Sequence, residues 1–441
     1  MGRRSAWALA ASILTPAWAM AQEQVAEILP AVADAPVPDS GDTAWMLTSA
    51  LLVIMMSLPG LGLFYGGLVR ARNMASVLTQ VFVVFALVSV LWVIYGYSLA
   101  FGGEGRLWAN LDFALLAGIG PDTPSGALPN IPEFVWVAFQ SAFAALTVAL
   151  AVGAFAERIR FSAVLVFAVV WFTLCYIPVA HMIWGGGLLA DDGALDFAGG
   201  TVIHLNAGIA ALVGAWMLGP RRGLGRESMA PHSLTLTTVG GCLLWVGWFG
   251  FNAGSAGAAN GIAGLAFVNT VVATAVGTLA WMATEWVLKG RPSLLGAVSG
   301  AIAGLVGITP AAGFVGPGGA IVIGAVCGPA CVWGVNGLKR LLRADDVCDV
   351  FGVHGVAGLI GAVLTGVFVA PSLGGMGVDG YSMGHQVWVQ LKGAFLTMAL
   401  SAAVTWVAFT LARLTVGLRV PEQDEQMGLD LSTHGERAYH F

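Results

Sequence analysis

Residues 196–221, DFAGGTVIHLNAGIAALVGAWMLGPR, form an apolar run with an aspartate at the head, an arginine at the foot and a single histidine, His204, inside. Such a run is long enough to cross about 30 Å of hydrocarbon as a helix. A second run carries the same feature. His354 heads HGVAGLIGAV at 354–363 as His204 heads HLNAGIAALVG at 204–214, each followed by small residues at helical spacing.

Working outward, apolar runs of spanning length occur near 45–69, 75–101, 135–155, 161–184 and 199–219, then near 233–252, 261–286, 294–312, 318–338, 350–370 and 387–411. Basic residues test that count independently, because cytoplasmic loops hold the excess Lys and Arg. Arg70 and Arg72, Arg158 and Arg160, Arg221, Arg222 and Arg226, Lys289 and Arg291, then Lys339, Arg340 and Arg343 occupy every second loop. The intervening loops hold only Arg106. A miscounted span would throw this alternation out of phase. The reading is an all-α integral membrane protein of eleven transmembrane helices, multi-pass, with the mature N-terminus periplasmic and the C-terminus cytoplasmic.

Two five-helix halves plus one extra helix fit an odd count, and five helices make consecutive halves enter from opposite sides as an inverted repeat. The expected organisation is a membrane domain over 22–417, with halves at 45–219 and 233–370 and an eleventh helix at 387–411, followed by a tail over 418–441. His204 and His354 are then pseudo-symmetric partners.

Composition agrees: 58% of residues are hydrophobic and 10% charged, where a soluble domain carries about 25% charged. The 61 glycines suit helices whose backbones approach closely through small side chains. Residues 1–21 read as a signal peptide, with Arg3 and Arg4 ahead of an apolar stretch and Ala19-Met20-Ala21 as the cleavage pattern. Cysteines 175, 242, 327, 331 and 348 fall within apolar spans or beside a basic loop, so no disulfide framework is expected.

Ionisable residues inside spans mark function by default. His204 and His354 carry three readings: packing histidines satisfied by carbonyls, pore residues, or axial ligands of a haem or metal. No Cys or carboxylate beside either one supports the last. Among the aromatics, Phe139 and Phe143 share a helix face at i, i+4 spacing, Trp184 ends the fourth span and Phe251 and Ser255 close the sixth. Rings with a hydroxyl acceptor are what a small ammonium ion requires, each face contributing up to about 2 kcal/mol when desolvated. Asp196 either caps its helix or neutralises a cation, and capping is the commoner role.

The stretch 196–221 resembles the signature of the ammonium transporter family shared by bacterial Amt, yeast methylammonium permeases and Rhesus proteins. The likeness runs from about residue 42 to the end, through GLFYGGLVR at 62–70, AFQSAF at 138–143, AERIRFSAVL at 156–165, HMIWGGGLLA, GWFGFNAGSAG and DVFGVHGV. The resemblance implies an external recruitment site of Phe139, Trp184 and Ser255, a gate of Phe143 and Phe251, and a pore lined by His204, His354 and Trp248. It implies that Asp196 shapes the site. It also implies a homotrimer in the bacterial inner membrane, with ammonium, ammonia or the analogue methylammonium as substrate. The tail VPEQDEQMGLDLSTHGERAY at 420–439 resembles the cytoplasmic regulatory segment that, with the inner loops, docks a PII-type signalling protein. The bland alternative is a solvated acidic tail.

No cofactor, resident metal, nucleic-acid partner or enzymatic activity is expected; membrane lipid is. Three rivals stand beside transport: another small-solute pore, a membrane redox protein using the two histidines as ligands, and an ammonium sensor with little flux.

Overall fold

A computed structural model describes residues 37–440; the expected signal peptide lies outside the described residues. Among the described residues, ten helices are long and apolar enough to cross a membrane: α1 (Ser40–Leu68), α2 (Ala71–Phe101), α3 (Glu133–Val152), α4 (Phe161–Asp191), α5 (Gly200–Leu218), α6 (Leu234–Gly254), α7 (Gly261–Lys289), α9 (Pro317–Leu341), α10 (Phe351–Phe368) and α11 (Met383–Thr415). The eleventh apolar helix, α8 (Leu294–Ile308), is shorter. It stops two residues before Pro310, which has no N–H with which to continue the ladder. Side chains start several helices: Ser233 accepts from the Leu236 N–H, Asn260 from Ala263 and Ser293 from Gly296. Each such cap is worth about 1 kcal/mol.

The expected halves are related where α5 crosses α10. A Cβ added to Gly208 would lie 2.5 Å from the Gly355 Cα, and one added to Gly358 would lie 2.9 Å from the Leu205 nitrogen. Residue 208 thus meets 355 while 358 meets 205, so the helices run antiparallel and the contact repeats under a two-fold axis. Only glycine permits this approach. Two of the corresponding pairs share irregularities: π turns occur at Phe172–Tyr176 in α4 and Gly334–Leu338 in α9, and at Gly200–Leu205 in α5 and Phe351–Gly355 in α10, whereas those of α1 and α2 have no counterpart in α6 and α7. Such turns cluster at functional sites.

On the face carrying the basic loops, ions are buried and paired. Glu157 accepts from the Arg70 backbone N–H at 2.7 Å and pairs with Arg221 at 3.3 Å, while Arg221 grips Asp345 at 2.9 Å. Arg158, fully buried, donates to the Asp345 and Gly219 carbonyls.

The tail packs onto this same face. Val420 and Leu418 exchange backbone bonds with Arg158 and Arg160, and two short helices follow, α12 (Glu422–Met427) and α13 (Leu429–His434). Glu425 takes the Arg222 N–H at 2.7 Å, Asp430 takes the Ser76 N–H at 2.7 Å, and Leu429 donates to the Asn73 side chain at 2.8 Å. Glycines at 428 and 435 hold positive φ between and after these helices. Glu425 and Asp430 are buried acids with partners, so the segment is not a solvated acidic tail.

Candidate functional site

On the opposite face, a cavity of about 200 Å³ is walled by Trp136, Gln140, Phe143, Trp184, Phe197 and Ser255 with Ala127 and Leu128. Trp184 is half-buried and is fixed by its indole N–H, which donates to the Asp196 carbonyl at 2.8 Å. Ser255 spends its own proton on the Phe251 carbonyl at 2.8 Å, so its oxygen faces incoming donors as an acceptor. Phe139 is not in this wall. It is fully buried behind it, stacked on Trp136 at 5.9 Å and tilted against Phe143 at 4.6 Å.

Phe143 and Phe251 close the floor, stacked nearly parallel with centroids 4.3 Å apart. Beneath them the rings continue without a break. Phe251 lies 5.8 Å from His204, His204 stacks on Trp248 at 5.1 Å, and His204 meets His354 at 5.2 Å. Trp248 is held by its N–H on the Thr309 hydroxyl at 2.9 Å. Trp184, Phe143, Phe251, His204, Trp248 and His354 therefore form one file from the mouth into the middle of the bundle.

The histidines touch Nδ1 to Nδ1 at 3.2 Å. A hydrogen bond there needs one donor and one acceptor, so one ring carries its proton on Nδ1 and the other on Nε2. The pair then presents one bare Nε2 and one Nε2–H. The Nε2 of His204 is buried without a protein partner. Among the described residues, no three His, Cys, Asp or Glu side chains gather closely enough to hold a metal ion.

What aims the histidines is a pair of carboxylates. Asp196 accepts four backbone N–H groups, from Gly199, Gly200, Thr201 and Val202, at 2.6–2.9 Å, which closes the π turn bearing His204. Its oxygens are thereby committed to the helix end. Burial raises its pKa to about 6, against the lowering pull of those four N–H groups.

Residues 44–439 match the model of the Ammonium Transporter Family. The chain belongs to that family. The transporter is 47% identical over 401 residues to an ammonium transporter of Bacillus subtilis, covering 90% of this chain and 98% of that one. It is 46% identical over 408 residues to an ammonium transporter of Aquifex aeolicus, covering 91% and 94%. Among solved structures, Mep2 of Candida albicans superposes with a TM-score of 0.81 at 36% identity, covering 88% of this chain and 87% of that one. A structure described as "Sensor Amt Protein" superposes at 0.82 with 26% identity, covering 89% and 98%.

Four residues of the transporter's site escape sequence reasoning: Trp136 and Phe197 in the cavity wall, Gln140 and Asp346. Gln140 lines the mouth cavity with its buried Oε1 unpartnered; it lies one residue after Phe139, and a polar residue within an aromatic helix was the available signal. Asp346 caps the π turn bearing His354, accepting from Val350 at 3.0 Å and Phe351 at 2.7 Å. The signal for it was spacing, since Asp196 and Asp346 each precede their histidine by eight positions.

Proposed function

We propose that the transporter recruits the ammonium ion between Trp184 and Ser255, strips its proton there, and passes ammonia through the Phe143–Phe251 gate and along the His204–His354 pair. One observation carries the reading: the unbroken file of rings from Trp184 to His354. Taking a small cation from water into such surroundings costs on the order of 20 kcal/mol before relaxation, while each ring face returns about 2 kcal/mol at most. The cation is held at the mouth and the neutral molecule crosses. The bare and protonated Nε2 atoms suit a solute that both donates and accepts.

The face with Trp184 is periplasmic and the face with the basic loops cytoplasmic, as the distribution of Lys and Arg supports, in a bacterial inner membrane. Three copies assemble, each with its own pore. A PII-type protein docks at the cytoplasmic face, where a basin of about 690 Å³ is lined by Arg221, Lys339, Arg340 and Arg343 with Asp345 and Asp349 and the packed tail lies alongside.

A second reading, an ammonium sensor with little flux, is favoured by the likeness to the sensor structure. Proteoliposomes given an ammonium pulse separate the two. Saturating ammonium-evoked current or pH change supports transport; none, with methylammonium uptake also absent in cells, supports sensing.

A further inference from the structure

Gln386 and Gln390 lie one turn apart near the start of α11, and both are buried. An amide inside a span is costly unless its donor and acceptor are both bonded. Gln390 meets that demand on the chain just ahead of Asp196. Its Oε1 accepts from the Leu195 N–H at 2.7 Å, and its Nε2 donates to the Leu195 carbonyl at 2.6 Å and to the Ala362 carbonyl of α10 at 3.0 Å. Gln386 donates to the Gly193 carbonyl at 2.9 Å. Leu195 makes no bond to another backbone group among the described residues, so Gln390 satisfies both of its polar groups. The next peptide group is held from two other directions: the Asp196 carbonyl takes the Trp184 indole N–H, and the Phe197 N–H donates to the Pro310 carbonyl at 3.1 Å. Three successive peptide planes are thereby pinned, and since only φ and ψ are soft between planes, the backbone of Leu195 and Asp196 has little freedom left.

We propose that Gln390 is a positioning residue for cation capture: through Leu195 it aims the Asp196 carbonyl that fixes Trp184 over the recruitment cavity. This role rests on the recruitment reading given above. Without the Gln390 amide, the two planes on either side of Leu195 lose their anchors, the Asp196 carbonyl turns with them, and the indole loses its seat. The Asp196 carboxylate keeps its four N–H groups on the turn bearing His204, so the pore below stays as it was. Gln390 therefore governs capture at the mouth and not passage through the pore. Its third bond, to Ala362, reaches the helix that bears His354. The one helix outside the two five-helix halves thus joins the mouth built by the first half to the pore helix of the second.

The test uses the full-length transporter labelled with fluorotryptophan, with Trp184→Phe identifying the Trp184 fluorine resonance. Gln390→Met keeps the reach of the side chain and removes its hydrogen bonds. The Trp184 resonance should shift or broaden while the other tryptophan resonances hold their places. An unmoved Trp184 resonance overturns the proposal whatever the chain transports, so its failure is distinguishable from failure of the transport reading. In proteoliposomes Gln390→Met should raise the half-saturating ammonium concentration about threefold to tenfold at unchanged maximal current. Unchanged half-saturation, or a fall in maximal current alone, overturns the positioning role. On a Trp184→Leu background the same substitution should add less than about twofold, because residues that act through one another do not add; the full factor there overturns it. Should Gln390→Met not fold, Gln390→Glu, which keeps the acceptor for the Leu195 N–H and when ionised has no donor, is read by the same measurements, and the same outcomes decide.

Discussion

Asp346 stands to His354 as Asp196 stands to His204: each carboxylate closes, eight residues upstream, the π turn that carries its histidine. Two halves of opposite orientation thus aim one ring each at the same point. Asp346→Asn keeps the shape but offers an amide where two N–H donors need acceptors. We expect it to reduce ammonium-evoked current and lower stability by about 1–3 kcal/mol. Wild-type current and melting in purified protein would show that the turn stands without its cap.

Trp184→Leu removes one ring face and the bond to the Asp196 carbonyl while leaving the core intact. Loss of roughly 1–2 kcal/mol of cation–π attraction raises the half-saturating ammonium concentration about fivefold to thirtyfold. Concentration dependence of proteoliposome currents checks this, and an unchanged curve removes Trp184 from recognition.

The histidines are tested by His204→Ala, His354→Ala and His354→Glu, each checked for assembly. Both alanine variants should change current and admit potassium, since the shared hydrogen bond is gone. The glutamate exchanges a proton but donates none when ionised, so flux persists with an altered pH profile. Wild-type selectivity and pH dependence in all three would leave the pair as packing residues.

Asp345 yields a pH prediction. Burial raises its pKa, but the hydrogen bonds and charge of Arg221 outweigh that and hold it at about 2 against an ordinary 3.8. A depressed carboxyl stabilises fully above its ordinary value and loses that contribution as pH falls through the folded value. The Asp345–Arg221 junction should therefore weaken between about pH 4 and pH 2, by about 2 kcal/mol. Thermal melts over that window check it, and Asp345→Asn should flatten the Asp345 component.

Deleting the chain from Gly428 onward removes the bonds of Leu429 and Asp430 to Asn73 and Ser76 but no spanning helix. Insertion should persist, while co-purification with a PII-type partner from nitrogen-shifted cells falls. Undiminished recovery of the complex would remove this segment from docking.

The spans were legible because crossing hydrocarbon demands apolar length, which leaves a mark on every helix. His204 and His354 were legible because an ionisable residue in such a run has few reasons to be there. Asp346 was harder to read, since it shares a loop with Asp345 and Asp349; only its eight-residue spacing from His354 marks it in the sequence, and the folded turn shows it meeting Val350 and Phe351. Phe139 and Phe143 share a helix face in the sequence, yet only Phe143 reaches the cavity wall, where the same helix also contributes Trp136 and Gln140. Helical spacing places a residue on a face, whereas neighbouring rings decide what that face touches.

The single proton shared by the two Nδ1 atoms makes the pair a latch. A proton that enters at the bare Nε2 of one ring and leaves from the Nε2–H of the other reverses both tautomers. The next proton arriving from the same side meets an occupied nitrogen. Repeated passage in one direction therefore requires both rings to turn over each time, although His204 is stacked between Trp248 and His354. Ammonia passing as a neutral molecule leaves the latch as it found it. On the proposed route, sustained proton current through the pair would be paced by ring rotation, and ammonia flux would not.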